Sequence, residues 1–468
     1  MRIKLDHPYT ATELCRLLGV YSRAAGTATH LSTDSREIQK GDLFVALRGD
    51  RYNGNRYIKE ALSHGAVMVL SEEMGEREDV IAVKDTMEAL ITLARAARAR
   101  LSPTVIALTG SVGKTTTKDM LAAVLSQKFR VHKTKENQNN LLGVILTLLS
   151  MPQDTEILVL ELGMNHAREI ATLSCLARPD FALITNVGNA HIGNLGSRAA
   201  IARAKLEILE GCEPATPYLF PACEPLLAPP CHATTLPVAI GDREGFDAAY
   251  LNVREEGGHT VADFLCGRRL YRDVHLAGRG AHVAACAAFA VFLGDLFGVC
   301  EAGIRTALRS TVSRGRMECF TENGIHFIND CYNASPESVT AALRVLGSAT
   351  KEGGRRIAVL GDMQELGRET RVLHEQVGRQ AAEAKLDLLF TFGAAAESIA
   401  DGASEAGMSP ERIFRNPDPT AHEKTGEALF FHLCEGDTVL IKASRGMTAE
   451  RILEYCRTQF PCKEKECR

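Results

Sequence analysis

The chain has 468 residues, of which 45% are hydrophobic and 24% are charged, so it is longer than one hydrophobic core supports and two to four domains are expected. The formal net charge of −4 gives no electrostatic reason to expect binding to nucleic acid or to an anionic membrane. We find no signal peptide, no bilayer-length apolar stretch and no C-x-x-C pair among the 14 cysteines, so we expect a cytoplasmic protein with reduced thiols and no membrane insertion.

Residues 1–100 predict an N-terminal α/β domain. Short apolar runs at 42–47, 66–70 and 80–83 have the composition of strands, and the alanine-rich stretch at 87–100 has that of a helix. We expect this domain to bind a substrate and to stand apart from the nucleotide site described next.

Residues 101–313 predict a central mononucleotide-binding ATPase domain with a parallel sheet, because strand-like runs alternate with helical stretches. The runs are 104–108, 157–162 and 181–186. Each is followed or closed by a polar residue, namely Thr109, Glu161 and Asn186. Ligands of open α/β sheets bind beyond the carboxyl ends of the strands, so we expect these side chains to converge on one edge.

Residues 314–468 predict a C-terminal Rossmann-like domain, which gives the chain three α/β domains in all. Strand-like runs again alternate with helices and end in polar residues. The runs are 325–329, 356–360, 386–391 and 437–442.

The most informative motif is a glycine loop between the first central strand and a helix. Residues 109–117 read Thr-Gly-Ser-Val-Gly-Lys-Thr-Thr-Thr, which can bind nucleotide phosphates through backbone N–H groups. Lys114 can reach the β- and γ-phosphates, and Thr115 can ligate Mg²⁺. Only two residues separate Gly110 from Gly113, whereas the common P-loop has four. The alternative is a glycine-rich turn that happens to precede a lysine.

Glu161 and His191, which lie outside the phosphate loop, are candidate metal ligands. Glu161 closes a strand, where it can hold Mg²⁺ opposite Thr115. His191 lies just past the next strand, and a histidine there indicates a second, Mn²⁺-tolerant ion between phosphate and substrate. The alternatives are a solvent-facing glutamate and a loop histidine without ligand.

Lys205 lies in an amphipathic helix and has two interpretations that its spacing does not separate. It is a solvated surface lysine, or it lies inside the site. A protonated ammonium would repel Mg²⁺, whereas a carbamate formed with CO₂ would supply oxygen ligands.

Motifs along nearly the whole chain resemble those of the Mur ligase family of ATP-dependent ligases. Within it, the Asn-Ala-Ser-Pro and Gly-Asp-Met-x-Glu-Leu-Gly motifs resemble the branch that adds D-alanyl-D-alanine, and the Asp-Asn-Pro-Arg motif of the preceding ligase is absent. The matching stretches are 109–117, 137–143, 161–170, 186–191, 202–205, 314–318, 330–336, 361–367 and 442–447.

The resemblance implies a role for each matching residue. It implies catalytic roles for Lys114, His191 and Lys205, with Lys205 carbamylated, and metal ligation by Thr115, Glu161, His191 and the carbamate. The implied ATP-binding residues are Gly110, Ser111, Val112, Gly113, Lys114, Thr115, Thr116, Arg316, Asn329 and Asp330. The implied contacts to the UDP-linked substrate are Ser35, Arg36, Asn139 and Asn140.

The implied reaction joins D-alanyl-D-alanine to UDP-N-acetylmuramoyl-tripeptide in peptidoglycan precursor synthesis. Its cofactors are ATP, Mg²⁺ and the carbamate on Lys205, and a monomer is expected. Two stretches depart from the family pattern. Gly280 and Ala281 stand where a His-Asn pair is usual at the adenine site, and residues 53–57 differ from the usual Asp-Gly-His-x-Phe.

Two other functions fit part of these observations. A folate γ-glutamyl ligase shares the short loop, but the long first domain with Thr-Asp-Ser-Arg at 33–36 disfavours it. A nucleotide-dependent switch without ligation is disfavoured by the convergence of Glu161, His191 and Lys205.

Overall fold

The computed structural model describes residues 1–49, 52–73, 77–228, 235–312 and 315–466, with side chains described up to residue 459. Ser313 and Arg314, at which the second and third domains are predicted to meet, lie outside the described residues. The strands form three large sheets, and this confirms the predicted three-domain α/β fold class. None of the helices in the described part of the chain combines the length and apolar character needed to cross a membrane.

The strands are β1 Arg2–Thr10, β2 Thr27–Ser32, β3 Asp42–Val45, β4 Arg48–Gly49, β5 Tyr52–Asn53, β6 Met68–Ser71, β7 Val80–Ala82, β8 Thr104–Thr109, β9 Val131–Lys133, β10 Ile157–Glu161, β11 Phe181–Ile184, β12 Pro217–Pro221, β13 Leu236–Gly241, β14 Ala248–Glu256, β15 His259–Cys266, β16 Arg269–Leu276, β17 Glu318–Glu322, β18 Ile325–Asn329, β19 Arg356–Gly361, β20 Leu388–Phe392, β21 Ile413–Asn416 and β22 Thr438–Lys442.

The helices are α1 Ala11–Leu18, α2 Ile58–Ser63, α3 Thr86–Leu101, α4 Lys114–Leu125, α5 Leu141–Leu149, α6 Glu169–Ala177, α7 Ile192–Leu195, α8 Arg198–Leu206, α9 Ala281–Leu296, α10 Glu301–Ser310, α11 Pro336–Ala349, α12 Thr370–Glu383, α13 Glu397–Glu405, α14 His422–His432 and α15 Glu450–Glu466.

The first sheet has the order β1-β2-β3-β6-β7, in which β1 and β2 are antiparallel and the other pairs are parallel. The predicted strands correspond to β3, β6 and β7, and the predicted helix to α3. Asp85 caps α3, since its carboxylate accepts from the backbone N–H groups of Met87 and Glu88. Helix α3 packs against α5 of the central domain, and the two share one apolar core.

The central sheet has nine strands in the order β16-β15-β14-β13-β12-β11-β8-β10-β9. All pairs from β9 to β14 are parallel, as predicted. The sheet then continues through β15 and β16 with antiparallel pairing, so it is mixed rather than wholly parallel. Tight turns link these last strands without helices, and the prediction from alternating strands and helices did not include them.

The third sheet has the order β17-β18-β22-β19-β20-β21, and all its pairs except β17–β18 are parallel. Its central strands β18, β19, β20 and β22 match the four predicted ones, because each is a mainly apolar and largely buried run. Two apolar clusters cover its two faces. The carboxyl ends of β18 and β22 place Asp330 and Lys442 toward the central domain.

Helices α12 and α13 approach closely through a glycine on each. A Cβ atom on Gly378 would overlap the backbone carbonyl of Ile399, and one on Gly402 would overlap that of Glu375. Backbone atoms cannot move away as a flexible side chain can, so this contact requires glycine on both helices.

Gly378→Ala should therefore destabilise the third domain by about 1–3 kcal/mol through overpacking. The matched control is Gly347→Ala on α11, where an added Cβ meets nothing within 4 Å. That control should raise stability by about 0.5–1 kcal/mol, because alanine is the better helix former. Urea unfolding followed by far-UV circular dichroism measures both. Equal effects of the two substitutions would contradict the packing argument.

Candidate active site

The phosphate loop connects β8 to α4 and is shaped by its two glycines. Gly113 has φ +81° and forms the N-cap of α4, so backbone N–H groups at the helix start point into the loop. A Cβ on Gly110 would overlap Thr185 Oγ1, and one on Gly113 would lie 2.9 Å from Cys286 Sγ. Side chains at either position would change the loop, which is why the sequence has glycine there.

Residues after β11 hold the loop in place. Asn186 Oδ1 accepts from the Val112 N–H at 2.9 Å, and Asn186 Nδ2 donates to the Val112 carbonyl at 2.8 Å. Thr185 Oγ1 donates to the same carbonyl at 2.7 Å, and the Gly188 N–H donates to Ser111 Oγ at 2.9 Å. The predicted convergence of strand ends is thus a direct hydrogen-bonded contact between β11 and the loop.

Thr115, Glu161 and Asn139 form a polar cluster beside the loop. Thr115 Oγ1 donates to Glu161 Oε2 at 2.9 Å, and Asn139 Nδ2 donates to Glu161 Oε1 at 2.8 Å. Glu161 is 1% exposed, and its backbone N–H is bonded to Thr134 Oγ1 at 3.0 Å. The cluster presents hydroxyl and carboxylate oxygens at one point, and these are hard donors.

Two lysines on α4 balance the charge of Glu161. The Lys114 ammonium donates to the Gly110 carbonyl at 2.7 Å, and the Lys118 ammonium lies 3.7 Å from Glu161 Oε2. Burial lowers the pKa of both lysines below its ordinary value, and Glu161 opposes that shift. For Lys114, Arg316 adds to the lowering.

Lys205 on α8 is buried rather than solvated. Its side chain is among the largest that the core encloses, with 1% exposed. Burial holds its pKa well below the ordinary lysine value, and the nearby charge of Lys114 lowers it further. Within the described ranges, no ion pair or hydrogen bond of its amine is found. The burial therefore disfavours the surface-lysine interpretation, and the lowered pKa favours the neutral form of the amine.

A cavity of about 1010 Å³ lies over the phosphate loop, between the central and third domains. It is lined by loop residues, by strand-end residues and by the facing surface of the third domain. The predicted site residues among its lining are Ser111, Val112, Gly113, Lys114, Thr116, Asn139, Asn140, Glu161, His191, Arg316 and Asp330. Gly110 and Thr115 adjoin these through the contacts above.

The third domain contributes cations to this cavity. Arg316 Nη2 donates to Thr115 Oγ1 at 3.0 Å, and its guanidinium stacks on the Tyr332 ring at 4.0 Å from the centroid. The Lys442 ammonium lies 2.5 Å from Asp330 Oδ2 in a buried ion pair. Asn329 is not among the lining residues, and its amide donates to Glu318 Oε2 at 3.1 Å.

His191 contacts the third domain. Its Nδ1 lies 2.5 Å from Glu365 Oε2, and this contact lowers the pKa of Glu365. Sequence reasoning missed His282, which lines the cavity and directly follows the Gly280–Ala281 departure. Burial lowers the pKa of His282, so its ring is neutral. A histidine directly after Gly-Ala was the available signal.

Ser35 and Arg36 lie in the first domain and do not line this cavity. Ser35 is buried, and its hydroxyl donates to Glu60 Oε2 at 3.0 Å. The Arg36 side chain is 81% exposed and pairs with Asp34. Asn139 and Asn140, predicted to contact the same substrate, lie at the central cavity, where Asn140 caps α5 by accepting from the Gly143 N–H. The structure therefore divides these four residues between two places.

Family models match three consecutive parts of the chain. The Mur ligase family catalytic domain matches residues 27–98, the Mur ligase middle domain residues 108–292, and the Mur ligase glutamate ligase domain residues 315–445. Together with the fold and cavity, these matches define a three-domain α/β protein with a phosphate-binding loop.

Similar proteins extend over almost the whole chain. A UDP-N-acetylmuramoyl-tripeptide–D-alanyl-D-alanine ligase of Bacillus subtilis is 37% identical, covering 91% of this chain and 92% of the relative. A crystal structure of MurF from Acinetobacter baumannii has a TM-score of 0.87 at 29% identity and covers 97% and 100% of the two chains. MurF from Thermotoga maritima in complex with ADP has a TM-score of 0.82 at 30% identity and covers 92% and 98%. The chain belongs to the Mur ligase family.

A folylpolyglutamate synthase of Mycobacterium tuberculosis is also similar in structure. It has a TM-score of 0.61 at 17% identity and covers 79% of this chain and 94% of that one. Identity at this level shows a shared fold alone.

Replacing Lys205 by methionine tests whether its amine is neutral. Below the ordinary lysine pKa, the unfolded chain binds a proton at Lys205 that the folded chain does not, so this residue makes the wild-type free energy of unfolding rise with pH. Lys205→Met removes that linkage. It also removes a buried amine that has no acceptor, and burying such a group destabilises the folded wild type by about 1–3 kcal/mol.

At pH 7, we expect the free energy of unfolding of Lys205→Met to equal or exceed that of the wild type. The difference between the two free energies should be smaller at pH 9. Urea titrations in CO₂-depleted buffer measure this. A difference that is independent of pH would mean that Lys205 is an ordinary charged lysine.

Proposed function

We propose that the protein is the ATP-dependent ligase that joins D-alanyl-D-alanine to UDP-N-acetylmuramoyl-tripeptide, releasing ADP and phosphate. The observation that carries this proposal is the phosphate loop bonded to a buried strand-end carboxylate, Glu161, and facing the cationic surface of a separate α/β domain. We infer the identity of the substrates from the name of relatives that match over nine-tenths of the chain. The product is a cytoplasmic peptidoglycan precursor.

The chemistry explains why a phosphate loop and a second domain are needed. A carboxylate is a weak electrophile, so its oxygen first attacks the γ-phosphorus of ATP, giving an acyl phosphate and ADP. The amine then attacks the acyl carbon, loses a proton, and displaces phosphate to form the amide. Water would hydrolyse the acyl phosphate, so a cavity closed between two domains favours ligation.

Lys114 and the loop residues are proposed to bind the ATP phosphates. The backbone N–H groups of Lys114, Thr115 and Thr116 in the first turn of α4 are free to bind an anion, and Lys114 neutralises the charge that develops on the transferred phosphoryl group. Arg316 and Asp330 are proposed to hold the nucleotide from the third domain. Asn329, which directly precedes Asp330, is also proposed to contribute to nucleotide binding. Its hydrogen bond to Glu318 supports a role in positioning Asp330.

Mg²⁺ fits the donor atoms around Glu161. Thr115 and Glu161 supply oxygens, and the Asn139 amide N–H orients the carboxylate. Mg²⁺ commonly takes one or two protein carboxylates and completes its shell with phosphates and water. Consistent with this pattern, no group of three or more His, Cys, Asp or Glu in the described part of the chain is arranged to hold a metal by itself. When bound, Mg²⁺ neutralises phosphate charge, and Mn²⁺ can replace it if His191 contributes.

We propose that Lys205 carries a carbamate and contributes to metal ligation. A neutral, buried amine is the form that reacts with CO₂, and the low pKa of Lys205 supports that state. The carbamate would turn a group that repels a cation into an anionic oxygen donor.

The first domain is proposed to hold the UDP part of the substrate through Ser35 and Arg36. The exposure of Arg36 supports access to a phosphate. Asn139 and Asn140 are proposed to contact the same substrate at its far end, in the central cavity. We propose domain limits of 1–100, 101–313 and 314–468, and we propose that the protein is a monomer. We also propose a cytoplasmic location, because the reaction requires ATP.

The direct test is phosphate release with ATP and UDP-N-acetylmuramoyl-tripeptide, with and without D-alanyl-D-alanine. A panel with L-lysine or diaminopimelate as the third residue of the peptide also identifies the preferred substrate. A ligase requires all three substrates, whereas a nucleotide switch releases phosphate without the amine. Release that is independent of D-alanyl-D-alanine would contradict the proposal.

Lys114→Ala should reduce kcat by roughly 10²–10³, the effect of losing one charge-stabilising donor worth about 3–4 kcal/mol. Steady-state phosphate release measures the loss, and an unchanged circular dichroism spectrum serves as the folding control. A folded variant with near-normal turnover would remove Lys114 from the proposed mechanism.

Lys205→Ala should lose activity that a short carboxylic acid partly restores. Acetate or formate added at millimolar concentration can occupy the vacated space and supply the missing oxygen ligand. Lys205→Met leaves less space and is the matched control without rescue. If Lys205→Arg, which keeps a charge but forms no carbamate, is fully active, then the carbamate proposal is wrong.

A further inference from the structure

Residues Asn186–Leu195, which we call the clasp segment, connect the phosphate loop to the third domain and are held at both ends. At the first end, Asn186 makes two hydrogen bonds to Val112, and the Gly188 N–H donates to Ser111 Oγ at 2.9 Å. Displacement of this segment would therefore displace the phosphate loop.

Further along the segment, the third domain binds it through Glu337. This residue lies in the first turn of α11, and its Oε1 accepts from both the backbone N–H and the Nδ2 of Asn189, each at 2.8 Å. A Cβ on Gly188 would lie 2.9 Å from Glu337 Cδ, so the carboxylate rests directly on the segment. Glu337 Oε2 is buried and has no hydrogen-bond partner among the described residues.

The second contact pairs His191 with Glu365. The two side chains lie 2.5 Å apart, and both residues adopt left-handed backbone conformations, with φ +66° and φ +65°. Residues other than glycine seldom adopt this conformation, and it persists where surrounding contacts impose it. Here the strain lies on both sides of one interdomain contact.

The third contact is backbone against backbone. The Gly193 N–H donates to the Glu365 carbonyl at 3.0 Å. A Cβ on Gly193 would lie 2.5 Å from Gly367 N and 2.8 Å from Glu365 O, and a Cβ on Gly367 would lie 2.6 Å from Gly193 Cα. No side chain fits at either position while the two domains are docked.

We propose that Glu337 and Glu365 are positioning residues that couple docking of the third domain to the geometry of the phosphate loop, and that the Gly193–Gly367 contact is the steric condition for docking. The clasp segment transmits the coupling, because its first residues bond the loop and its later residues bond the third domain. The inference rests on the proposed ligase function for its kinetic test alone.

Gly193→Ala is the decisive variant, because it adds one methyl group at the contact and nothing elsewhere. Gly193 lies in α7, where alanine is the better helix former, so the variant should fold at least as well as the wild type. We expect kcat to fall at least about tenfold, and we expect KM for ATP to change by less than kcat, because most of the proposed ATP-binding residues lie in the phosphate loop of the central domain. Gly347→Ala, where the added methyl meets open space, is the matched control and should behave as wild type.

Small-angle X-ray scattering supplies a readout that does not require ligation. With saturating ATP and UDP-N-acetylmuramoyl-tripeptide, the wild type and Gly347→Ala should have a smaller radius of gyration than Gly193→Ala. Equal radii for all three, or a wild-type kcat in Gly193→Ala, would overturn the proposal. If Gly193→Ala has a larger radius of gyration than the wild type but the wild type shows no ligation, the proposed function fails and the docking contact stands.

Glu337 separates positioning from charge. Glu337→Gln keeps an oxygen that accepts from Asn189 and places its amide where Oε2 has no partner, so kcat should stay within about threefold. Glu337→Ala loses both hydrogen bonds, and kcat should fall about tenfold. Loss of activity in both variants would mean that the carboxylate acts through its charge, which contradicts a positioning role.

Discussion

The hydrogen bond between Thr115 and Glu161 is the contact on which the rest of the site depends. It joins the first turn after the phosphate loop to the end of β10, and both partners are nearly inaccessible to solvent. Because a buried carboxylate is costly without partners, the hydroxyl, the Asn139 amide and Lys118 hold Glu161 in one orientation. The loop, the proposed metal donors and the cations therefore take their positions from one strand end.

The site is completed only where the third domain meets the central one. Arg316 reaches Thr115 across the interface, and Glu337 and Glu365 bind the segment after β11. Polar contacts between domains are weaker than a shared apolar core, and domain motion is the ordinary expectation for such interfaces. The first domain differs, because α3 shares an apolar core with α5. The central domain therefore shares an apolar core with the first domain, whereas it contacts the third chiefly through polar and backbone groups, with Ile192 as an apolar contact.

Much of this arrangement could be predicted from the sequence, because the parallel strands are continuous apolar runs and the phosphate loop is a dense local motif. Local motifs placed Lys114, Thr115 and Glu161 together correctly. The β14–β16 extension was missed because it departs from strand–helix alternation. The contacts of Glu337 and Glu365 with the central domain could not be predicted, since each depends on which residue of another element faces it. The burial of Lys205 could not be decided from the residue pattern either, because the pattern of an amphipathic helix does not establish whether a given lysine lies on the buried face.

The measurement that tests the central claim most directly is isotope transfer from substrate to phosphate. UDP-N-acetylmuramoyl-tripeptide labelled with ¹⁸O in the terminal carboxylate is incubated with ATP and D-alanyl-D-alanine, and the released phosphate is analysed by mass spectrometry or ³¹P NMR. Activation through an acyl phosphate transfers one ¹⁸O atom to each phosphate released with amide. Unlabelled phosphate accompanying amide formation would contradict the mechanism, and unlabelled phosphate without amide would contradict the ligase assignment itself.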